Sequence, residues 1–238
     1  MKSKFLSLIA SAALVLSVIT LPAKAVDVGG FNVGVSAGVI GNKSQFTTNG
    51  SETEGGGDSE VTKAEESESH AFPSWFGEIG VKTGLLGINI GYENVPFDAN
   101  LGAKTRTDVN DAKDTNDDGA YKAEAEVSDY HVYYIEPQIW LNDNLAIYGK
   151  FGRNDVTVKS MENIAQGENS STYGDASVDG DVIGAGIRFK SDLGFLIKIE
   201  YQEIDYETVT LTSTTGNANT IKGDIDQVSG RIAIGWQF

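Results

Sequence analysis

Apolar and polar side chains alternate with a period of two through most of this chain. In the final segment the large apolar residues share one face: Ile232, Ile234, Trp236 and Phe238. Successive side chains of a β-strand point to opposite faces, so this period predicts strands with two different faces. The predicted strands are Phe31–Ile40, Ser74–Thr83, Leu86–Asn94, Tyr130–Leu141, Leu145–Val158, Asp181–Lys190, Phe195–Tyr206 and Val228–Phe238.

The connections between these segments alternate between short and long. The short ones are Gly84–Leu85, Asn142–Asn144 and Ser191–Gly194. The long polar ones are Gly41–Pro73, Val95–Asp129, Lys159–Gly180 and Thr208–Gln227. Short periplasmic turns and long extracellular loops are typical of a transmembrane β-barrel. We therefore predict an all-β fold, an eight-stranded antiparallel up-and-down transmembrane β-barrel. A soluble lipocalin-like barrel is the alternative, since it would turn its apolar face inward.

The first 25 residues have the layout of a secretory signal peptide. Lys2 and Lys4 precede a mostly apolar stretch over 5–21, and Ala23-Lys24-Ala25 is a small-x-small cleavage site. We expect residues 1–25 to be removed and residues 26–238 to form one barrel domain. An uncleaved N-terminal membrane anchor is the alternative.

Composition narrows the possible partners. The chain has no cysteine and a formal net charge of −16, so no disulfide supports the fold and nucleic acid is not an expected partner. An exported chain of this kind is expected to be held by its core or by a closed sheet.

The last strand resembles the closing strand of bacterial outer-membrane β-barrels. Arg231, Trp236 and Phe238 fit that family's C-terminal pattern, while Ala233 replaces its glycine. The resemblance extends to the small barrels of the OmpA-transmembrane, OmpX-like and opacity-like group, also called the porin family. It implies an outer-membrane location, contact with outer-membrane lipid, and recognition of Arg231, Trp236 and Phe238 by the barrel assembly machinery. An ordinary half-buried C-terminal strand is the alternative.

Charged residues occupy the face of the strands opposite the apolar one. Both signs are present: Glu78, Lys82, Glu93, Glu136, Lys150, Arg188, Lys198, Glu200 and Arg231. Eight strands enclose a space that side chains can fill. Buried charges are tolerated only when paired or hydrated, so we predict an ion-paired lumen. In a soluble sheet the same residues would face solvent.

The long connections contain two further features. The first, Gly41–Pro73, is strongly acidic and is interpreted as a solvated loop. The second contains Asp114, Asn116 and Asp118, followed by Gly119, which match the first half of a calcium loop. Its twelfth position is Ala125 instead of glutamate, so a plain turn is the preferred interpretation and no metal or cofactor is predicted.

Catalysis has little support in the sequence. The two histidines are His70 and His131, and only His131 has a serine and an acid nearby, Ser128 and Asp129. We predict a non-catalytic structural or surface-interaction role, with an unknown extracellular partner. A narrow porin-like channel for small solutes is the alternative, and a lipid A-modifying enzyme is a weaker one.

Overall fold

The computed structural model describes residues 26–28, 30–53, 61–108, 119–166, 172–215 and 219–238. Within these ranges every regular element is a β-strand. The strands are β1 (Val26–Val28), β2 (Phe31–Thr53), β3 (Val61–Thr83), β4 (Leu86–Val95), β5 (Ala99–Asp108), β6 (Gly119–Trp140), β7 (Leu145–Gln166), β8 (Ala176–Lys190), β9 (Phe195–Tyr206), β10 (Val209–Thr212) and β11 (Thr220–Gln237). No helix among these residues is long and apolar enough to cross a membrane.

Eight of the strands close into a barrel. The order is β2-β3-β4-β6-β7-β8-β9-β11, every neighbouring pair is antiparallel, and β11 pairs back onto β2. Closure gives the backbone N–H and C=O groups of each strand a partner, which a sheet in hydrocarbon requires. The predicted eight-stranded antiparallel barrel is confirmed.

The short strand β1 lies at the closing seam. The pairing of β11 with β2 ends at Phe238, whose backbone N–H and C=O bond to those of Val35. Beyond that point β1 pairs with β2, Val26 opposite Val33 and Val28 opposite Phe31. Because β3 pairs with the other edge of these β2 residues, β1 covers the edge that β11 leaves open.

The strands extend well past their predicted ends, so the predicted loop boundaries were wrong. β2 continues from Ile40 to Thr53, and β3 begins at Val61 instead of Ser74. The extra residues pair in continuous register with their neighbours. They were missed because the alternation reverses there, with apolar residues such as Phe46 turning inward and polar residues turning outward.

The pairing along β6 on the side of β4 and β5 is interrupted. β4 pairs with β6 up to Val95, and pairing resumes at Ala99 in β5. Pro96 lies in the gap and cannot donate to the ladder. β6 has a matching irregularity between Ser128 and His131, where Asp129 adopts a φ of 53°. β4 and β5 thus form one strand of the barrel, interrupted between Val95 and Ala99.

Candidate functional site

The outer wall near the short turns is covered by large apolar side chains, which we call the apolar band. Its exposed members are Phe31, Val35, Trp75, Ile79, Leu86, Ile88, Ile90, Tyr133, Ile135, Ile139, Leu141, Ile147, Phe151, Ile183, Ile187, Phe189, Ile199, Tyr201, Val228, Ile232 and Ile234. On β9 the band runs from Phe195 to Tyr201, and the next outward residue is Glu203. An apolar band edged by aromatic residues is what a barrel presents to lipid.

Inside the band, four charged side chains form a first ion-pair cluster. Glu78 accepts from Arg188 at 2.7 Å and from Lys198 at 2.6 Å. Lys198 also pairs with Glu136 at 2.5 Å. Asn89 and the Tyr134 hydroxyl donate to Glu78 at 2.9 and 3.0 Å. Two acids and two bases balance within this cluster.

A second cluster lies beside the first. Lys150 pairs with Glu93 at 3.5 Å and with Glu200 at 3.2 Å, and Arg231 pairs with both carboxylates. Ser74 donates to Glu93 at 2.6 Å. Tyr148 donates to Glu200 at 3.0 Å. This cluster is also balanced in charge.

Lys82 is placed apart from both clusters. Its side chain is about a quarter exposed and lies 3.8 Å from the fully exposed carboxylate of Asp143, which is in the β6–β7 turn. Its ammonium group also lies 4.2 Å from the Trp140 ring centroid. The structure therefore brings together eight of the nine predicted lumen charges and leaves Lys82 at the mouth near the short turns.

Two aromatic rings in the lumen, those of Tyr134 and Tyr148, each contact both clusters. Lys150 lies 4.2 Å from the Tyr134 ring centroid, and Lys198 lies 4.9 Å from that of Tyr148. Tyr134 fits because Gly91 on β4 has no Cβ, which would collide with the ring. Alternation with apolar band residues places Tyr134 and Tyr148 on the lumen face of their strands already in the sequence, but it does not predict which charges they contact.

Farther from the short turns the lumen becomes apolar. Its buried apolar side chains include Phe46, Val95, Val127, Tyr130, Val156, Val158, Val178, Val182, Ile204, Tyr206, Val209 and Ile225, and this cluster reaches the charges through Val132 and Tyr134. The outward residues at this level are polar, for example Asp155, Thr157 and Asp205. The barrel is therefore polar inside and apolar outside in the band. Beyond the band the outside is polar and the lumen is mainly apolar, with a few buried polar side chains such as Gln227, which accepts from the Tyr206 hydroxyl at 2.8 Å.

Trimming this apolar core should destabilise the barrel measurably. Ile204 is 2% exposed, so Ile204→Val should lower the free energy of unfolding by about 0.5–1.5 kcal/mol. Urea titration of the refolded protein would measure this decrease in the free energy of unfolding. Ile199→Val, on the outward face of the same strand, is the control and should change less. Equal losses would contradict a packed outer lumen.

One sector of the rim of the apolar band is acidic. The first outward polar residue past the band is acidic on three adjacent strands: Asp181 on β8, Glu203 on β9 and Asp226 on β11. Arg153 on β7 borders this sector and donates to Asp181 at 2.6 Å and to Glu207 at 3.2 Å. These hydrogen bonds raise the pKa of Arg153 above its ordinary value.

Ser128 and His131 lie on different faces of β6. Ser128 is buried and donates to Asp129 at 3.4 Å. His131 lies on the outward face, where its Nδ1 is 2.7 Å from the Tyr92 hydroxyl and 3.1 Å from Asn94 Nδ2. Residues three apart in a strand point to opposite faces, and the irregularity between Ser128 and His131 does not bring the two side chains to one face.

Some predicted features lie outside the described residues. These are the signal peptide at 1–25 and the calcium-like loop with Asp114, Asn116 and Asp118. Among the residues that are described, no group of three or more His, Cys, Asp or Glu side chains is arranged to hold a metal ion.

The sequence matches a known family over nearly its whole length. Residues 10–238 match the model of the family described as outer membrane protein beta-barrel domain. The chain belongs to this family. Its place is therefore the outer membrane, and the apolar band is the part of this family member that meets lipid. No curated protein matches the sequence.

Solved outer-membrane proteins are similar in part. OprG from Pseudomonas aeruginosa is 13% identical, covering 89% of this chain and 99% of that one, with a TM-score of 0.48. Ail of Yersinia pestis, in complex with the heparin analogue sucrose octasulfate, is 14% identical over 83% and 98%, with a TM-score of 0.33. The protease OmpT from Escherichia coli is 8% identical over 88% and 97%, with a TM-score of 0.37. The family assignment rests on the sequence match.

The three predicted C-terminal recognition residues have different surroundings. Arg231 lies in the lumen and donates through Nε to Asn42 at 2.7 Å. Trp236 packs edge-on against Phe195 with ring centroids 5.2 Å apart, and Phe238 pairs with Val35 at the seam. Their recognition during assembly stays a prediction.

Proposed function

We propose that this outer-membrane protein is a non-conducting, non-catalytic barrel that presents a rigid extracellular wall for surface interaction. The observation that carries the proposal is the filled lumen. Four carboxylates and four cations pair inside the apolar band, and each of these eight residues is at most 7% exposed. A solute crossing the barrel would have to separate these ion pairs.

The apolar core beyond the clusters supports the same conclusion. An ion entering from outside would pass buried apolar side chains such as Val156 and Val178, which lie opposite each other and are 1% and 5% exposed. Moving a charge past such side chains is costly because apolar groups do not replace its hydration. The apolar side chains and the ion-pair clusters are two successive barriers to an ion, and both favour a closed barrel over the narrow channel.

The surroundings of His131 support a non-catalytic role. A hydrolytic serine needs a histidine within hydrogen-bonding distance. His131 bonds to Tyr92 and Asn94 on the outer wall, while Ser128 lies inside. The proposal therefore assigns His131 no part in a serine-based reaction.

The extended strands give the proposed surface role its platform. β2 and β3 continue beyond the apolar band as a paired hairpin up to Thr53 and Val61. The packed core beneath keeps this wall in one conformation, which lowers the ordering cost of binding a partner.

Planar-bilayer conductance tests the proposal directly. Refolded protein, shown to be folded by its heat-dependent gel mobility, should insert without producing steady current steps. The reason is the paired and buried lumen, and a porin of known conductance in the same membrane is the control. Reproducible ohmic steps from the folded protein would overturn the proposal and support the channel.

A further inference from the structure

Above the apolar band, strand β3 has a neighbouring strand on one side only. Within the band it pairs with β2 on one side and with β4 on the other, where the last pair is Trp75 with Asn94. From Ser74 back to Val61 it continues to pair with β2. Over these residues none of the described strands pairs with its other side, since β5 pairs with β6. One edge of β3 is therefore open on the extracellular wall.

The hydrogen bonds at the seam show which backbone groups of β3 point to this open side. Val35 on β2 exchanges both of its backbone hydrogen bonds with Phe238, so the N–H and C=O of the next residue, Ser36, point to β3. Ser36 lies opposite Glu78, and the register between β2 and β3 has no shift. Even-numbered residues of β3 therefore bond to β2, and odd-numbered residues direct their N–H and C=O away from it. We call four of these, Glu65, Ser67, Ser69 and Ala71, the β3 edge.

Two prolines explain why the pairing of β3 with β4 stops at the rim of the band. Trp75 and Asn94 form a hydrogen-bonded pair, and in the same register the next such pair would be Pro73 with Pro96. Neither proline has an N–H to donate, so this pair has no donor. The sequence itself thus separates β3 from the strand formed by β4 and β5 at this level.

The surroundings of the β3 edge are acidic. Residues 65–69 are all exposed and consist of three glutamates and two serines. On β11, two strands away, Asp224 and Asp226 lie in the same cross-strand rows as Glu65 and Ser67. Cations are found only in the next rows of this described sheet: Lys43 on one side and Lys222 on the other. The edge therefore favours a basic partner.

We propose that the β3 edge binds an extended basic segment of a partner protein, which joins the sheet as an antiparallel strand, a proposal that rests on the surface role given above and names its partner class. The backbone groups of the β3 edge supply the main-chain hydrogen bonds, as in other cases where a peptide extends a sheet. Lysine or arginine side chains of the segment lie beside Glu65 and Glu68. A second copy of this edge does not fit, because glutamates would face glutamates.

Protection of the edge is the competing explanation. Natural sheets carry charged residues and proline on their edge strands, and these prevent pairing with other chains. An edge that is only protected would bind no strand, whether basic or acidic. The two explanations therefore differ in what they expect of a basic strand.

The first test titrates the full refolded protein in zwitterionic micelles with a fluorescent peptide of about ten residues, alternating lysine and valine. Fluorescence anisotropy measures its binding. The control peptide has the same composition, but every valine is the D-enantiomer, so it keeps the charge and loses the regular strand conformation. The all-L peptide should bind about tenfold more tightly or better.

Two substitutions of Ser69 separate the backbone from the side chain. Proline removes an N–H that points away from β2 and leaves the hydrogen bonds between β2 and β3 in place, whereas alanine removes only the hydroxyl group. Ser69→Pro should weaken binding of the all-L peptide about three- to tenfold, and Ser69→Ala less than about twofold. Heat-dependent gel mobility shows that each variant is folded.

A charge variant keeps the proposal testable if Ser69→Pro does not fold. Glu65→Gln combined with Glu68→Gln should weaken binding about two- to tenfold. The matched control is Glu203→Gln combined with Asp205→Asn, which removes the same charge from β9. This strand is separated from β3 by β11 and β2, so the control should change binding less than about twofold.

Four results would each overturn the proposal: no binding by the unchanged protein, equal binding of the two peptides, equal affinities of the two Ser69 variants, or equal weakening by the two charge variants. Conductance enters none of these measurements. A barrel that conducts and binds the peptide would contradict the proposed non-conducting role alone. A silent barrel that does not bind the peptide would contradict the partner proposed for the β3 edge alone.

Discussion

Replacing Arg188 by methionine is expected to lower the free energy of unfolding by about 3–5 kcal/mol. Arg188 is 0% exposed and pairs with Glu78 while also donating to Ser36 at 2.7 Å. Methionine fills similar space without the charge. Glu78 and Glu136 would then share only Lys198, and one buried negative charge would lack a counterion.

The measurement is a urea titration in lipid vesicles, following the folded form by its gel mobility without boiling. Lys82→Met is the control, because Lys82 is partly solvated at the mouth and its pair with Asp143 should contribute less than about 1 kcal/mol. Adding Glu136→Gln to Arg188→Met restores the charge balance and should recover part of the loss. A loss for Arg188→Met no larger than for Lys82→Met would contradict a paired lumen.

The face on which each lumen charge lies could be predicted from sequence alone. On β6, for example, alternation places Glu136 and its neighbour Ile135 on different faces of the strand, whatever the arrangement of the other strands. The partners could not be predicted in the same way. Lys198 pairs with Glu78 across the barrel, and that contact depends on the stagger between strands, which the alternation does not encode.

The strand lengths were mispredicted for a definite physical reason. Beyond the band, water replaces lipid outside the barrel, so the preferred outward residue changes from apolar to polar. Ile204 and Tyr206 continue the inward face of β9 begun by Lys198 and Glu200. A search for one constant apolar face therefore stops where the surroundings change, although the backbone pairing continues.

The contacts among the outward rings of Trp75, Tyr92 and Tyr133 were only partly visible in the sequence. Alternation places Trp75, Tyr92 and Tyr133 on the outward face of their strands, but nothing in their spacing along the chain shows that their rings touch. The contact depends on the register that places Tyr92 opposite Tyr133 and Trp75 opposite Asn94. The acidic sector likewise becomes apparent only when the edge of the band is known on every strand.

Replacing Ile199 by arginine should be the most damaging change on the outer wall. Ile199 is 50% exposed in the folded chain, pairs with Ile187 and Ile232, and lies within the part of β9 that meets lipid. A charge there loses its hydration, and near the bilayer centre this costs about 2–4 kcal/mol. The free energy of unfolding in vesicles, from urea titration, is the quantity to compare.

Asp205→Arg is the matched control, because Asp205 lies on the same face of the same strand but beyond the band. It is opposite Asp181 and Asp226 in the register, and like charges directly opposite destabilise a sheet. Arginine there relieves that repulsion and should leave stability unchanged or raise it slightly. The two substitutions add the same side chain and differ only in their surroundings, lipid in one case and water in the other. If Ile199→Arg were tolerated as well as Asp205→Arg, the outward face of β9 at Ile199 would be in water, as in a soluble barrel.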